Sequence, residues 1–309
     1  MTSKKISIIT PCYNEEEVIV ETYKQLTVVM QANFSNYELI FINDGSRDDT
    51  YSILNKLADE DSHIKVLNFS RNFGHQPAVS AGINNCTGDY AIIIDADLQD
   101  PPKCIPEMVQ LAINENANVV YGVRKTRQGE TWFKKITAKS FYRMLNYFSE
   151  TNIPVDTGDF RLIDKKIINQ YKKLKERQKY IRGLISWLGF KQIPYYYDRD
   201  ARLAGETHYP FMKMVSFAIR GLLYFSKKPL NIATNVGLTC VFFAFMYFLV
   251  YLILKIFHPE SVVSGWTSLV GLVIFFGGIQ LISIGLIGNY IGSMFEEIKG
   301  RPEYIIDEE

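Results

Sequence analysis

The chain has 309 residues, 47% of them hydrophobic, with 34 basic and 33 acidic side chains and a formal net charge of +1. That length and apolar content suffice for one large or two modest domains. The balanced charge excludes a general electrostatic pull toward nucleic acid or any other polyanion.

In chain order, the first 125 residues alternate short β-branched runs with helical stretches. Ile6–Thr10, Glu38–Asn43, Lys65–Phe69, Tyr90–Ile94 and Val119–Tyr121 read as strands, and Glu16–Ala32, Thr50–Asp59 and Gln76–Asn84 as helices. Asp48 or Asp49 is available to cap the second helix. Strands at this spacing with helices between them predict an α/β fold, a mainly parallel sheet covered on both faces. In such sheets ligands sit beyond the carboxyl ends of the strands. The residues there are polar after four successive strands: Pro11-Cys12-Tyr13-Asn14-Glu15, Asn43-Asp44-Gly45-Ser46, Ser70-Arg71-Asn72 and Asp95-Ala96-Asp97. Ordinary turn chemistry explains any one of them, whereas four on one edge point to a site.

In an extended chain Asp95 and Asp97 face the same way, so both carboxylates are expected to meet one ligand. Hard oxygen ligands of this kind suit Mg²⁺ or Mn²⁺, and Gln99 adds a further oxygen. Asp100-Pro101-Pro102 then turns the chain away. The four histidines are scattered, which argues against a zinc site, and the four cysteines form no C-x-x-C pair and read as free thiols.

From about 130 to 200 the pattern becomes helical and then loop-rich. Pro210–Lys228 carries an apolar face with basic Lys213, Arg220, Lys227 and Lys228. It reads as an amphipathic helix in the headgroup layer, with a plain core-facing helix as the alternative. Val236–Leu254 and Ser268–Ile291 contain no Lys, Arg, Asp or Glu, and each reaches the roughly 17–25 residues that span hydrocarbon as a helix. Core helices of a soluble protein are the alternative, but two at the chain end would exceed what a small domain can cover. Basic flanks around both runs and a loop at His258–Trp266 without Lys or Arg predict a hairpin with both ends in the cytoplasm. Ile6–Thr10 is too short for a signal h-region, so the first domain is expected to begin there too. Gly271, Gly278, Gly285 and Gly292 mark a close-packing seam, either within the hairpin or between subunits of a homo-oligomer. The expected organisation is 1–209 cytoplasmic catalytic domain, 210–229 interfacial helix, 230–294 two spans (about 232–256 and 267–292) and 295–309 cytoplasmic tail.

Taken together, the four edge motifs, Arg71-Asn72-Phe73-Gly74-His75 and Asp95-Ala96-Asp97-Leu98-Gln99-Asp100-Pro101-Pro102 resemble family 2 glycosyltransferases of GT-A fold. Gly158-Asp159-Phe160-Arg161-Leu162 and Arg199-Asp200-Ala201-Arg202-Leu203-Ala204-Gly205-Glu206 look like the polyprenyl-phosphate branch. The paired spans make it similar to the bacterial bactoprenol (undecaprenyl-phosphate) glucosyltransferase type. The resemblance implies that Pro11, Tyr13, Glu15 and Asp44 hold the base and ribose of a nucleotide sugar, and that Asp95 contacts nucleotide or metal. It further implies Asp97 and Gln99 as the firmer metal ligands, Arg124 on donor phosphate, Asp159 as base and Arg202 on acceptor phosphate. Thr207 and His208 depart from the family's usual Ser and Lys, which puts one cationic contact in doubt.

Residue chemistry qualifies two of these roles. A phosphate monoester acceptor is mostly ionised at neutral pH, so Asp159 is expected to orient or assist rather than deprotonate. Asp159 also has Arg161 as a potential salt-bridge partner, and Arg202 reads alternatively as a solvated surface charge. The expected reaction is inverting transfer of a hexose, glucose from UDP-glucose, to undecaprenyl phosphate at the cytoplasmic face of the inner membrane. A dolichol-type mannosyltransferase using GDP-mannose shares the motifs. A silent sugar-nucleotide-binding membrane protein is the alternative of another class, and the retained Asp95, Asp97, Asp159 and Arg202 argue against it.

Overall fold

The structure is a computed structural model that describes residues 4–124, 157–176, 179–198, 228–257 and 265–307. Arg202, the 199–206 motif, the 210–227 segment and the 258–264 loop lie outside the described residues.

The strands form where the sequence is apolar without interruption. β1 (Ile6–Cys12) is buried at every position and β2 (Tyr37–Asn43) at all but one, as befits strands covered on both faces. In chain order the elements are β1, α1 (Ile19–Asn33), β2, α2 (Thr50–Glu60), β3 (Ile64–Asn68), α3 (His75–Asn85), β4 (Tyr90–Ile93) and α4 (Ile105–Asn114). β5 (Val119–Arg124), β6 (Thr157–Asp164), α5 (Lys165–Tyr171), α6 (Ile181–Trp187) and β7 (Gln192–Tyr197) follow. Among the described residues the strands make one sheet in the order β3-β2-β1-β4-β6-β5-β7. All neighbours run parallel except β6, which is antiparallel to both β4 and β5. The predicted α/β GT-A-type sheet is therefore present, and β6 and β7 are additions in a stretch that sequence reading assigned to helix and loop.

The chain passes from β1 outward to β3 and then returns to β4 on the other side of β1. This leaves a switch point between β1 and β4, and ligands bind at the carboxyl ends of strands at such points. Apolar cores fill both faces: Ile8, Leu39 and Ile92 meet Leu26, Met30 and Met108 on one, while Ile9, Ile40 and Ile93 meet Val79, Ile167 and Ile185 on the other. α1 starts at Ile19, later than expected, because Glu15 and Glu16 give their N–H groups to Thr50 Oγ1 (2.8 Å) and Asp48 Oδ2 (3.1 Å) instead of opening a helix. Asp48 also accepts from Thr50 N at 3.1 Å, so it supplies the oxygen that opens α2.

By contacts the chain divides into two units, the sheet with its helices together with the tail from Gly300, and the long helices α7 (Lys228–Phe257) and α8 (Trp266–Ile298). Among the described residues, Phe275–Ile298 is long and apolar enough to cross a membrane, and Ala233–Tyr247 is a shorter apolar stretch. Among the described residues, a Cβ at Gly237, Gly278, Gly285, Gly288 or Gly292 would meet nothing within 4 Å.

α3 packs so closely on the sheet that a Cβ at Gly82 would collide with Ile9 Cγ2 and approach Ile42 Cδ1 to 3.1 Å. Gly82→Ala should therefore cost about 1–3 kcal/mol by overpacking. The melting midpoint of the detergent-solubilised full chain should fall by several degrees, about 2–4 °C per kcal/mol at this size. An unchanged midpoint would mean that α3 has room to move.

Candidate active site

The loops at the carboxyl edge are bonded to one another before any ligand arrives. Asn14, held at φ +55°, donates its N–H to Ser46 Oγ (3.0 Å), and its Oδ1 accepts from Arg47 N (2.8 Å). Asn43 Nδ2 donates to Asn68 Oδ1 at 2.7 Å, joining the ends of β2 and β3. Asp44 is buried and accepts from Phe73 N (2.7 Å) and Gly74 N (2.9 Å). Burial raises the Asp44 pKa, with the two N–H donors opposing the shift. Gly45, at φ +61°, lies against the Arg71 carbonyl carbon and 2.5 Å, as an added Cβ, from Asn72 N, so only glycine fits the joint.

Of the expected nucleotide residues, Pro11 is buried inside β1 rather than after it, while Tyr13 is 41% exposed and presents a ring to the edge. Glu15 flanks a 340 Å³ cleft lined by Asn14–Val18, Arg47 and Asp48. Asp44 lies behind these residues with its oxygens turned to the β3 loop.

β4 ends at Ile93, so Asp95 and Asp97 stand on a turn past the strand. The strand alternation expected to align them does not apply. Instead Leu98 adopts φ +55° and Gln99 N donates to Asp97 Oδ1 (3.2 Å), while Ala96 O accepts from Thr22 Oγ1 (2.6 Å) and ties the turn to α1. Asp95 Oδ1 is buried without a hydrogen-bond partner, its nearest cation being His75 Nε2 at 3.8 Å. Burial, reinforced by the charges of Asp159, Asp100 and Asp97 against that of His75, pushes the Asp95 carboxyl up to about 6. An unpartnered buried carboxylate oxygen among like charges fits a divalent cation. Among the described residues no group of three or more His, Cys, Asp or Glu forms a ready-made cage.

Asp159 sits on β6, the strand that sequence reading did not find. It does not pair with Arg161, whose Nη2 donates to Gly158 O at 3.1 Å. Its partners are Arg182 on α6, through Nε (2.7 Å) and Nη2 (2.9 Å), and His75 Nε2 at the start of α3 (3.1 Å). Burial would raise the Asp159 pKa, but Arg182 and then His75 override it and hold the carboxyl well below the usual range. For His75, burial would lower the pKa, yet the bond to Asp159 and the charges of Asp95 and Asp159 lift it to about 9. The imidazole is therefore a cation at neutral pH. Neither His75 nor Arg182 was singled out from sequence; His75 lay in a quoted motif, and Arg182 carried no signal. Arg124, at the end of β5, packs beside Gly158, with Nη2 4.0 Å from the buried Asp100 and a hydrogen bond to Tyr197. Tyr197 OH also donates to Asp100.

Residues 7–172 match the family model for glycosyl transferase family 2. An uncharacterized glycosyltransferase, YkcC, of Bacillus subtilis is 48% identical over 97% of this chain and 92% of its own. The prophage bactoprenol glucosyl transferase homolog of Escherichia coli is 39% identical over 98% of both chains, and the bactoprenol glucosyl transferase of Shigella phage SfII 38% identical over 98% of this chain and 97% of its own. Among solved structures, glucosyl-3-phosphoglycerate synthase from Mycobacterium tuberculosis matches at 18% identity and a TM-score of 0.47, over 71% of this chain and 78% of that one. With its parallel-sheet edge carrying Asp95 and Asp97 and a family match across more than half its length, the chain belongs to glycosyl transferase family 2.

Proposed function

We propose that the protein transfers a hexose, glucose from UDP-glucose, to undecaprenyl phosphate at the cytoplasmic face of the membrane. The observation that carries this reading is the reach of the likeness. Bactoprenol glucosyl transferases match over 98% of the chain, through the apolar C-terminal helices as well as the sheet. An apolar segment such as Phe275–Ile298 suits an enzyme whose acceptor is itself a lipid.

In the reaction an acceptor phosphate oxygen attacks the anomeric carbon, and the bond from that carbon to the nucleoside diphosphate breaks with its electron pair. A metal held by Asp95, Asp97 and Gln99 would supply electrostatic stabilisation of the departing diphosphate. Tyr13 and Glu15 bind the nucleoside, and Arg124 turns from Asp100 to donor phosphate. Negative charge accumulates on the leaving group, and preformed cations at its position lower the barrier. The acceptor's second pKa is near 6, so no strong base is needed. Asp159 suits that chemistry: held ionised by Arg182 and His75, it is a weak base and a good anchor for two cations. Arg202 binds the acceptor phosphate, for which a guanidinium is well shaped.

The test is incubation of the purified full chain with undecaprenyl phosphate and a panel of radiolabelled sugar nucleotides, followed by lipid extraction. Label is expected in the lipid from UDP-glucose; label from GDP-mannose alone would assign the donor differently. Activity should vanish in EDTA and return with Mg²⁺ or Mn²⁺, and Asp97→Asn should lose most turnover with an unchanged melting midpoint. Full activity in chelator refutes the metal role.

Donor and acceptor sides should separate by mutation. Arg202→Ala should raise the apparent KM for lipid phosphate or lower turnover while calorimetric donor affinity stays put, and Arg124→Ala should do the reverse. Equal losses of UDP-sugar affinity in both would assign Arg202 to the donor.

We further propose two spans with both termini cytoplasmic, from the basic flanks of α7 and α8. A cysteine introduced at Ser261 should then react with an impermeant thiol reagent on intact cells and one at Ser3 should not. The opposite pattern would overturn the orientation.

A further inference from the structure

The C-terminal tail does not end as a free appendage. Past α8 it joins the catalytic sheet at the carboxyl end of β3, the edge strand. Ile306 bridges Phe69 in antiparallel fashion, with Ser70 N donating to Ile305 O (3.1 Å) and Asp307 N to Asn68 O (2.8 Å). The Tyr304 ring stacks on Phe69 at 5.1 Å and 9°, and Phe69 in turn meets Phe73 edge-on at 5.7 Å. Asn84 Nδ2 donates to Tyr304 OH (3.1 Å), and Ser80 Oγ donates to Glu303 Oε2 (2.9 Å), both from α3. The same Glu303 oxygen takes Lys179 Nζ at 3.2 Å in an ion pair whose side chains are 10% and 8% exposed.

These contacts fall on the two segments that deliver cations to Asp159. Phe73 and Gly74 lead into His75, the first residue of α3, and Lys179 stands three residues before Arg182. The two segments also meet directly, Ile181 N donating to Gln76 Oε1 (3.0 Å), and Tyr171 touches both Ser80 and Lys179, so the tail adds a further brace to a junction they already share. We infer that the tail Gly300–Asp307 is a positioning element of the catalytic centre, in which Glu303 and Tyr304 fix the approach of His75 and Arg182 to Asp159. The tail touches no reacting atom, and it acts through the loop that Asp44 holds at Phe73 N and Gly74 N. Displacement of catalytic groups by about 1 Å costs on the order of a hundredfold in rate, so a brace of this kind governs turnover more than donor binding.

The inference rests on the reading of this edge as a glycosyl-transfer site, and the test keeps the two apart. Tyr304→Ala, Tyr304→Phe and Glu303→Gln are made in the full chain, and each is assayed below its own melting midpoint. Phe keeps the stack on Phe69 and Gln keeps the hydrogen bond from Ser80, so these two variants should fold even if the alanine variant does not. Tyr304→Ala and Glu303→Gln should lower kcat roughly tenfold with KM for the nucleotide sugar within about twofold, given that scale of misplacement. Tyr304→Phe should recover most of the lost turnover. By hydrogen exchange, the amides of Phe73 and Gly74 should exchange faster in Tyr304→Ala, or in Glu303→Gln if Tyr304→Ala does not fold. Wild-type kcat in Glu303→Gln, or unchanged exchange alongside lost turnover, overturns the inference. Absence of product from the wild-type chain with every sugar nucleotide would instead fail the functional reading, while the exchange measurement would still judge the brace.

Discussion

The constraint on which this site depends is the crowding of carboxylates at one edge of a sheet. Asp95, Asp97 and Asp100 follow β4 and Asp159 stands on neighbouring β6, and burial, with their repulsion added, raises the pKa of Asp95. Each answers the crowding differently. Asp159 is neutralised by Arg182 and His75, and Asp100 is buried against Tyr197 and Arg124. Asp97 spends one oxygen on the turn, through Gln99 N. Asp95 keeps a buried oxygen without a hydrogen bond. A cation placed at that oxygen would relieve both its burial and the crowding. Removing Arg182 would cost about 3–5 kcal/mol, because the buried Asp159 charge would lose its two-point partner.

That arrangement only holds if the loops carrying it cannot drift. Their bonding is reciprocal: the β1 loop bonds the β2 loop through Asn14, Ser46 and Arg47, and the β2 loop bonds the β3 loop through Asp44 and the close approach at Gly45. Asp44 is in this sense a joint, and a nucleotide role for it would have to share oxygens already engaged by two N–H groups. A carboxylate has lone pairs enough for both. Preorganisation of this kind is settled before substrate binds, so it takes nothing from the binding energy available for the transition state.

The sheet's parallel half was legible because its strands are uninterrupted apolar runs bounded by polar turns, and the boundaries moved by only a few residues. β6 was missed although Asp159-Phe160-Arg161-Leu162 carries a strand's alternation, because the run is short and its charged Arg161 is buried only through pairing with β4 and β5. Local periodicity cannot report a partner strand that is distant in sequence. The same limit hid the cations. Asp159 finds Arg182 at a separation of 23 residues and His75 at 84, and Arg161, its near neighbour along the strand, turns instead to Gly158 O. The quoted motifs contained the carboxylates and His75, but nothing near them in sequence pointed to Arg182.

Chain connectivity adds a last consequence. The helical unit lies in sequence between the body of the sheet unit and the tail that completes it, so the edge of β3 stays uncovered until the whole chain has been made. Ser80 and Glu303 are 223 residues apart, and Asn84 and Tyr304 are separated by 220. Contacts of such separation form late, because the entropy of closing the loop is spent before the contact returns anything. Until then β3 is an open edge with unpaired backbone groups, which in most sheets is a liability for association with other chains. Here the strand is short, five residues, and Lys65 on it is exposed, both of which blunt edge pairing while the tail is absent. The late arrival of Ile305–Asp307 then links completion of the catalytic edge to prior synthesis of the two apolar helices. A chain truncated before Gly300 would retain the sheet's apolar core but lack the strand that covers its outer edge.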